Sequence, residues 1–140
     1  MDHGTSLVEV ALVMPFLLLL LLGAIDFGRA YYLAMEVAGA AHAGAEYGSQ
    51  NPTDTTGIKA AAKADAPDLP GLVSTPTYGC ECSDGTSFSL NCGTKPTCTN
   101  NVVYRVQVRV SATYTSWFPW PGIPANISLS SSATMRGAGS

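Results

Sequence analysis

Residues 7–25 read LVEVALVMPFLLLLLLGAI, and within them residues 10–25 run for sixteen positions without a charge. At about 1.5 Å per helical residue, this stretch nearly crosses a hydrocarbon layer of about 30 Å. Thirteen of its nineteen residues are Leu, Ile, Val or Phe. Each favours insertion by roughly 0.3–0.6 kcal/mol, against a cost of about 3 kcal/mol for a carboxylate at the helix centre. Glu9 stands near one end and can reach the interface, so insertion wins.

The sequence around the run speaks against a cleaved secretory signal, because Met1-Asp2-His3-Gly4 has no basic residue and the chain does not break afterwards. Instead, residues 27–48, FGRAYYLAMEVAGAAHAGAEYG, continue without proline and are rich in good helix formers. One helix is predicted from about Thr5 to Tyr47, roughly 65 Å long, with its first half in lipid. Pro15 removes a backbone donor to Ala11 and crowds that turn. It reads either as a segment that melts to ease exit from the bilayer or as a plain kink.

Over the whole chain of 140 residues, 46% are hydrophobic and 12% charged, the latter about half the ~25% of an ordinary soluble domain. Net charge is −3, which provides no basic field for a nucleic acid. By region, residues 1–48 carry −4 and residues 49–140 carry +1. The chain therefore divides into an apolar acidic helix and a nearly neutral polar head.

Gly23, Phe27, Ala30, Ala34, Val37, Ala41, Gly44 and Gly48 recur at spacings of four and three, a seam of mostly small side chains. Such a seam lets helix backbones approach closely. It fits packing against helices of neighbouring subunits, or against the chain's own head.

Gly4 precedes Thr5, and Glu9 is the fifth residue counted from Thr5. Here the sequence resembles the type IV pilin superfamily, and more narrowly the TadE family of minor pilins, or pseudopilins, of tight-adherence (Flp) pili. The resemblance is carried by Val8-Glu9, Ala11-Leu12-Val13, Pro15, Phe27-Gly28-Arg29 and the Ala/Gly-rich stretch from Ala38 to Gly48. The closing VQVRVSATY…FPWPGIPANISLSSSATMR is similar as well.

The resemblance implies cutting by a prepilin peptidase between Gly4 and Thr5. It divides the chain into a leader at 1–4, a long helix at 5–48 and an extracytoplasmic head at 49–140. It implies that Glu9 meets the new α-amine of Thr5 on an adjacent subunit. A bare helix-terminal acid, favoured by nearby free amides, is the other reading of Glu9. Implied partners are other pilins or pseudopilins and the assembly platform of the bacterial inner membrane, with no cofactor. A generic single-pass anchored or secreted binding domain is the competing class.

Beyond Gly48 the chain turns polar. Residues 49–54, SQNPTD, read as a linker, and Asp54 or Thr55 caps a short helix through IKAAAKADA that Pro67 and Pro70 end. Residues 102–114 alternate, with Val102, Tyr104, Val106, Val108, Val110, Ala112 and Tyr114 on one face. Ile127, Leu129, Ala133 and Met135 repeat the pattern, and the proline-broken WFPWPGIP between the two runs lets them pair antiparallel. Ser83-Asp84-Gly85-Thr86 marks a hairpin turn between two shorter strands. The expected fold is α+β: the long helix, a short helix and a small antiparallel sheet packed on the protruding half.

Cys80, Cys82, Cys92 and Cys98 lie in the head. Their spacing lacks the usual zinc-ligand pairs, and an exported head meets oxidising conditions, so two disulfides are expected and no metal. The pairing is left open, except that Cys80–Cys82 would close a strained ring. TadE-like heads carry a similar Cys-x-Cys…Asp-Gly…Cys…Cys block. Neither His3 nor His42 has a metal partner, and no phosphate loop or nucleophile–base set is legible, which speaks against an enzyme. Trp117, Phe118 and Trp120, among Pro119, Pro121 and Pro124, either lie under the sheet or form a contact patch.

Overall fold

The computed structural model of the chain describes residues 3–94 and 96–137, with side chains from residue 7 onward. The expected α+β architecture is present: a helix α1 over His3–Gln50, a helix α2 over Thr55–Asp65, and four strands. These are β1 (Val73–Cys82), β2 (Phe88–Ser89), β3 (Val102–Thr115) and β4 (Asn126–Gly137). They form one antiparallel sheet in the order β2-β1-β3-β4. Of the predicted leader, residues 1–2 lie outside the described residues.

Helix α1 passes through Pro15 without interruption. Its first turns stand clear of the head, so Leu7, Val8, Leu12, Phe16 and Leu17–Leu22 are all exposed. This one helix is long and apolar enough to cross a membrane.

The second half of α1 lies along the sheet. Val37, Ala40, Ala41 and Ala45 are fully buried with Ile58 and Ala62 of α2 and Val106, Val108 and Val110 of β3. The small-residue seam is thus occupied, from Val37 to Gly48, by the chain's own head. A Cβ at Gly44 would lie 3.1 Å from Val108 and 3.3 Å from Ala62, and one at Gly48 only 2.7 Å from Val106.

Two glycine-to-alanine changes have opposite expected signs. At Gly28 a Cβ meets nothing within 4 Å, so alanine should stabilise the helix by about 0.5–1 kcal/mol. At Gly48 the methyl would be driven into Val106 and Ile58, both fully buried. Overpacking of about 1–3 kcal/mol then exceeds the helix gain and leaves a net loss of about 1 kcal/mol. Chemical denaturation of the two variants in the same detergent tests both signs.

Helix α2 starts at the expected cap: the Asp54 carboxylate accepts from the Gly57 amide at 2.9 Å and from the Tyr47 hydroxyl at 2.8 Å. These bonds hold the carboxyl below its usual range, the Gly57 amide contributing most. At the other end, Lys63 Nζ donates to the carbonyls of Pro67 and Leu69.

Strand β4 pairs with β3 along its whole length, from Tyr104↔Gly137 to Thr115↔Asn126. The face of β3 expected to be apolar is the buried one: Val106, Val108, Val110, Ala112 and Tyr114. Strand β1 is longer than its sequence announces, pairing with β3 from Val73 to Cys82. It tolerates Pro76 because β2 covers only Cys80 and Glu81, leaving the rest of that side a free edge. Gly85, at φ 77°, makes the turn between β1 and β2, where its amide donates to Cys82 O at 2.7 Å.

Cys80 pairs with Cys92 and Cys82 with Cys98. Cys80 and Cys82, buried on β1, hold down the stretch between β2 and β3, whose described residues form no helix or strand of their own.

Candidate functional site

Among the described residues, two places stand out where polar chemistry meets the apolar helix. The first is Glu9, exposed near the start of α1 on a surface it shares with Val10, Val13, Met14 and Leu17. Gly4 and Thr5 lie in the first turns of the same helix, and their side chains are outside the described residues. Pro15 follows six residues beyond Glu9, about 1.7 turns, and is also exposed.

The second is built around Asp26, the first residue after the apolar run. Its side chain is 3% exposed although nearly all of the preceding helix is open. The carboxylate is enclosed by the end of β3 and the loop that follows it. Tyr114 donates its hydroxyl to Oδ1 at 2.6 Å, Ser116 to Oδ2 at 2.5 Å and the Trp120 indole N–H to Oδ2 at 2.8 Å. The Trp117 amide adds a longer bond to Oδ1 at 3.3 Å. The Tyr114 hydroxyl also reaches the Asp26 carbonyl at 2.9 Å.

These donors hold the Asp26 carboxyl far below the usual carboxylate range, Ser116 and Tyr114 most strongly, against the opposing effect of burial. Burial is the main reason that the Tyr114 hydroxyl is pushed up, with the Asp26 bond second. Arg29, one turn on, comes to 4.0 Å from Oδ1, and its guanidinium carbon sits over the Trp117 ring, 3.7 Å from the centroid. The Arg29 Nη1 atom is buried without a hydrogen bond, so this cation is held by the ring face and the nearby charge.

The same contact uses the upper end of the small-residue seam. A Cβ at Gly23 would be 3.5 Å from the Trp120 ring, and Phe27 stacks on that ring at 6.0 Å between centroids. Ala30 and Ala34 are partly buried between this contact and the core below. The aromatic loop is therefore neither under the sheet nor free. It is clamped against α1, with Trp117 64% and Phe118 38% exposed.

In the sequence, Asp26 registers only as one of the charges of residues 1–48. The available signal was its place directly after sixteen uncharged residues and three before Arg29, facing a distant loop with two tryptophans. The partners are 88 to 94 positions away, and no local pattern joins them.

A third polar cluster lies on the sheet. Glu81, 7% exposed, pairs with Arg136 and lies 3.6 Å from Arg105. It fastens β1 across β3 to β4, and among the described residues no group of His, Cys, Asp or Glu is placed to hold a metal ion.

No curated protein and no solved structure matches the chain. Residues 4–46 match the family described as TadE-like protein. The matched stretch is the helix that carries Glu9, Pro15, Asp26 and Arg29, so it is this amino-terminal part of the chain that is similar to the TadE-like family.

Proposed function

We propose that this protein is a minor pilin that takes part in assembling a Tad-type pilus used in adhesion, with a structural and not a catalytic role. The observation that carries the reading is Glu9, an exposed carboxylate near the start of an apolar TadE-like helix. In lipid an unpaired carboxylate is costly, and pairing it with a cation of another subunit sets the register between helices.

On this reading a prepilin peptidase cuts between Gly4 and Thr5, and the new Thr5 amine of one subunit meets Glu9 of the next. Before assembly the chain is a single-pass protein of the bacterial inner membrane with its head outside the cytoplasm. Its partners are other pilins or pseudopilins and the membrane assembly platform. Pro15 loosens the helix for extraction from the bilayer.

Glu9→Gln separates anchoring from assembly. The variant is expected to reach the membrane at the wild-type level and to co-purify with pilus components at least roughly tenfold less, because a neutral amide loses the charged pairing. Amino-terminal sequencing with and without the peptidase checks the cut: a new terminus at Thr5 supports the reading. Normal co-purification of Glu9→Gln would sink it.

A further inference from the structure

The Asp26 clamp places four apolar side chains at the end of the membrane-crossing run. Trp120 lies against Gly23 and Phe27, and Gly23 is itself inside residues 7–25. The indole thus reaches back past the end of the span, by about 3 Å at the rise of a helix. Trp117, Phe118 and Ile123 are exposed beside it.

The loop is also prepared for a place with little water. The amides of Ser116, Trp117, Phe118, Trp120 and Ile123 all donate inside the molecule, to Ala125 O, Asp26 Oδ1, Ser116 Oγ, Phe118 O and Trp120 O. Pro119, Pro121 and Pro124 have no amide hydrogen to satisfy. Asp26 takes the Trp120 indole N–H, the one polar group of that ring. Residues 116–125, SWFPWPGIPA, carry no charge. Five of the loop's seven amides are thus satisfied within the protein, and those of Gly122 and Ala125 are not, a balance that suits the hydrated interfacial layer and not the hydrocarbon core, where backbone donors must all be satisfied internally. Tryptophan is the residue most at home at the boundary of lipid and water.

We infer that the β3–β4 loop is a membrane foot. Trp117, Phe118, Trp120 and Ile123 seat in the interfacial layer of the leaflet on the head's side, and Asp26 fixes the loop in that position. The foot sets the height and tilt of the head above the bilayer. Because the loop is uncharged, zwitterionic lipid suffices and salt has little effect on the seating. The inference rests on residues 7–25 crossing a bilayer, and it stands whether or not the chain enters a pilus.

The two tryptophans are Trp117 and Trp120 alone, so intrinsic fluorescence reads the foot without a label. The full chain is reconstituted in phosphatidylcholine vesicles, and co-flotation identifies the inserted fraction. The vesicles contain lipid brominated either near the headgroup or near the chain ends. Trp117→Phe and Trp120→Phe assign the signal to one ring at a time.

For the inserted protein, headgroup-proximal bromine is expected to quench emission roughly twofold more than chain-end bromine, with poor access for aqueous iodide. Unchanged quenching at raised salt supports the uncharged contact. Free access for iodide with no quenching by either lipid overturns the inference. So does shielding from both iodide and bromine, which would mean that a second protein chain covers the loop. Loss of Glu9-dependent assembly leaves this readout unaffected, so the two readings fail separately.

Discussion

Asp26→Ala is expected to undock the β3–β4 loop from α1 while leaving the sheet paired. The carboxylate is the common acceptor for the Ser116 and Tyr114 hydroxyls, the Trp120 indole and the Trp117 amide. Removing it strands all four at once and leaves the Arg29 cation beside them without its nearby charge. Amide exchange at Trp117 should quicken by on the order of a hundredfold, while the β3–β4 ladder stays protected, because the valine core is far from the loop.

Two graded variants apportion the effect. Tyr114→Phe removes one donor and should cost about 1–3 kcal/mol. Asp26→Asn keeps the shape but turns two of its hydrogens toward donors, so it should fall between wild type and alanine. Exchange at Trp117 unchanged in Asp26→Ala would refute the clamp.

The clamp also has a pH dependence. The Asp26 carboxyl is held below its unfolded value, so its contribution is complete above the ordinary carboxylate range of about 4. It is lost progressively as pH falls through that range and below it. Wild type should therefore release the loop in acid before the sheet melts, and Asp26→Asn should show no such step.

Removing both disulfides is the second large effect. Cys80–Cys92 and Cys82–Cys98 span 12 and 16 residues, for which chain-entropy arguments give about 3 kcal/mol each. The bridges tie down the same stretch, from Leu90 to Asn101, so the double loss should be less than additive, about 4–5 kcal/mol. That is comparable with the whole stability of a typical domain, about 5–15 kcal/mol. Cys→Ser variants or full reduction should bring the urea midpoint of the head down sharply, followed by the β signal. A shift under about 1 kcal/mol on full reduction would show that the core alone holds this stretch.

Much of this fold was legible because its signals are local. The run from Val10 to Ile25, the alternation of β3 and β4, and the Asp54 cap each reside within one element. The body of β1 was harder: VSTPTYGCEC has no clean alternation, and its last four residues are all buried whichever way they point. Its extent is imposed by pairing with β3. The disulfide partners were likewise open, since four cysteines allow three pairings and spacing ranks them poorly.

The small-residue seam shows where pattern stops. Spacing at three and four says that something approaches closely, but not what. The chain's own valines and Ile58 fill it between Val37 and Gly48, and the Trp120 ring fills it at Gly23. Asp26 is the sharper case. Next to a lipid-soluble run its charge reads as an ordinary boundary residue, yet it is the best-satisfied carboxylate among the described residues.

The amino-acid sequence alone determined that this protein has an apolar helix able to cross a membrane, a polar disulfide-bonded β head and a TadE-like amino terminus. Hydrophobic periodicity and composition are properties of neighbours in the chain. Only the tertiary structure decided that the head grips the helix at the end of its apolar run, through a buried carboxylate and a loop some ninety residues distant. Hydrogen bonds and ring contacts depend on which groups folding brings within a few ångströms, and that distance is not written in their spacing along the sequence.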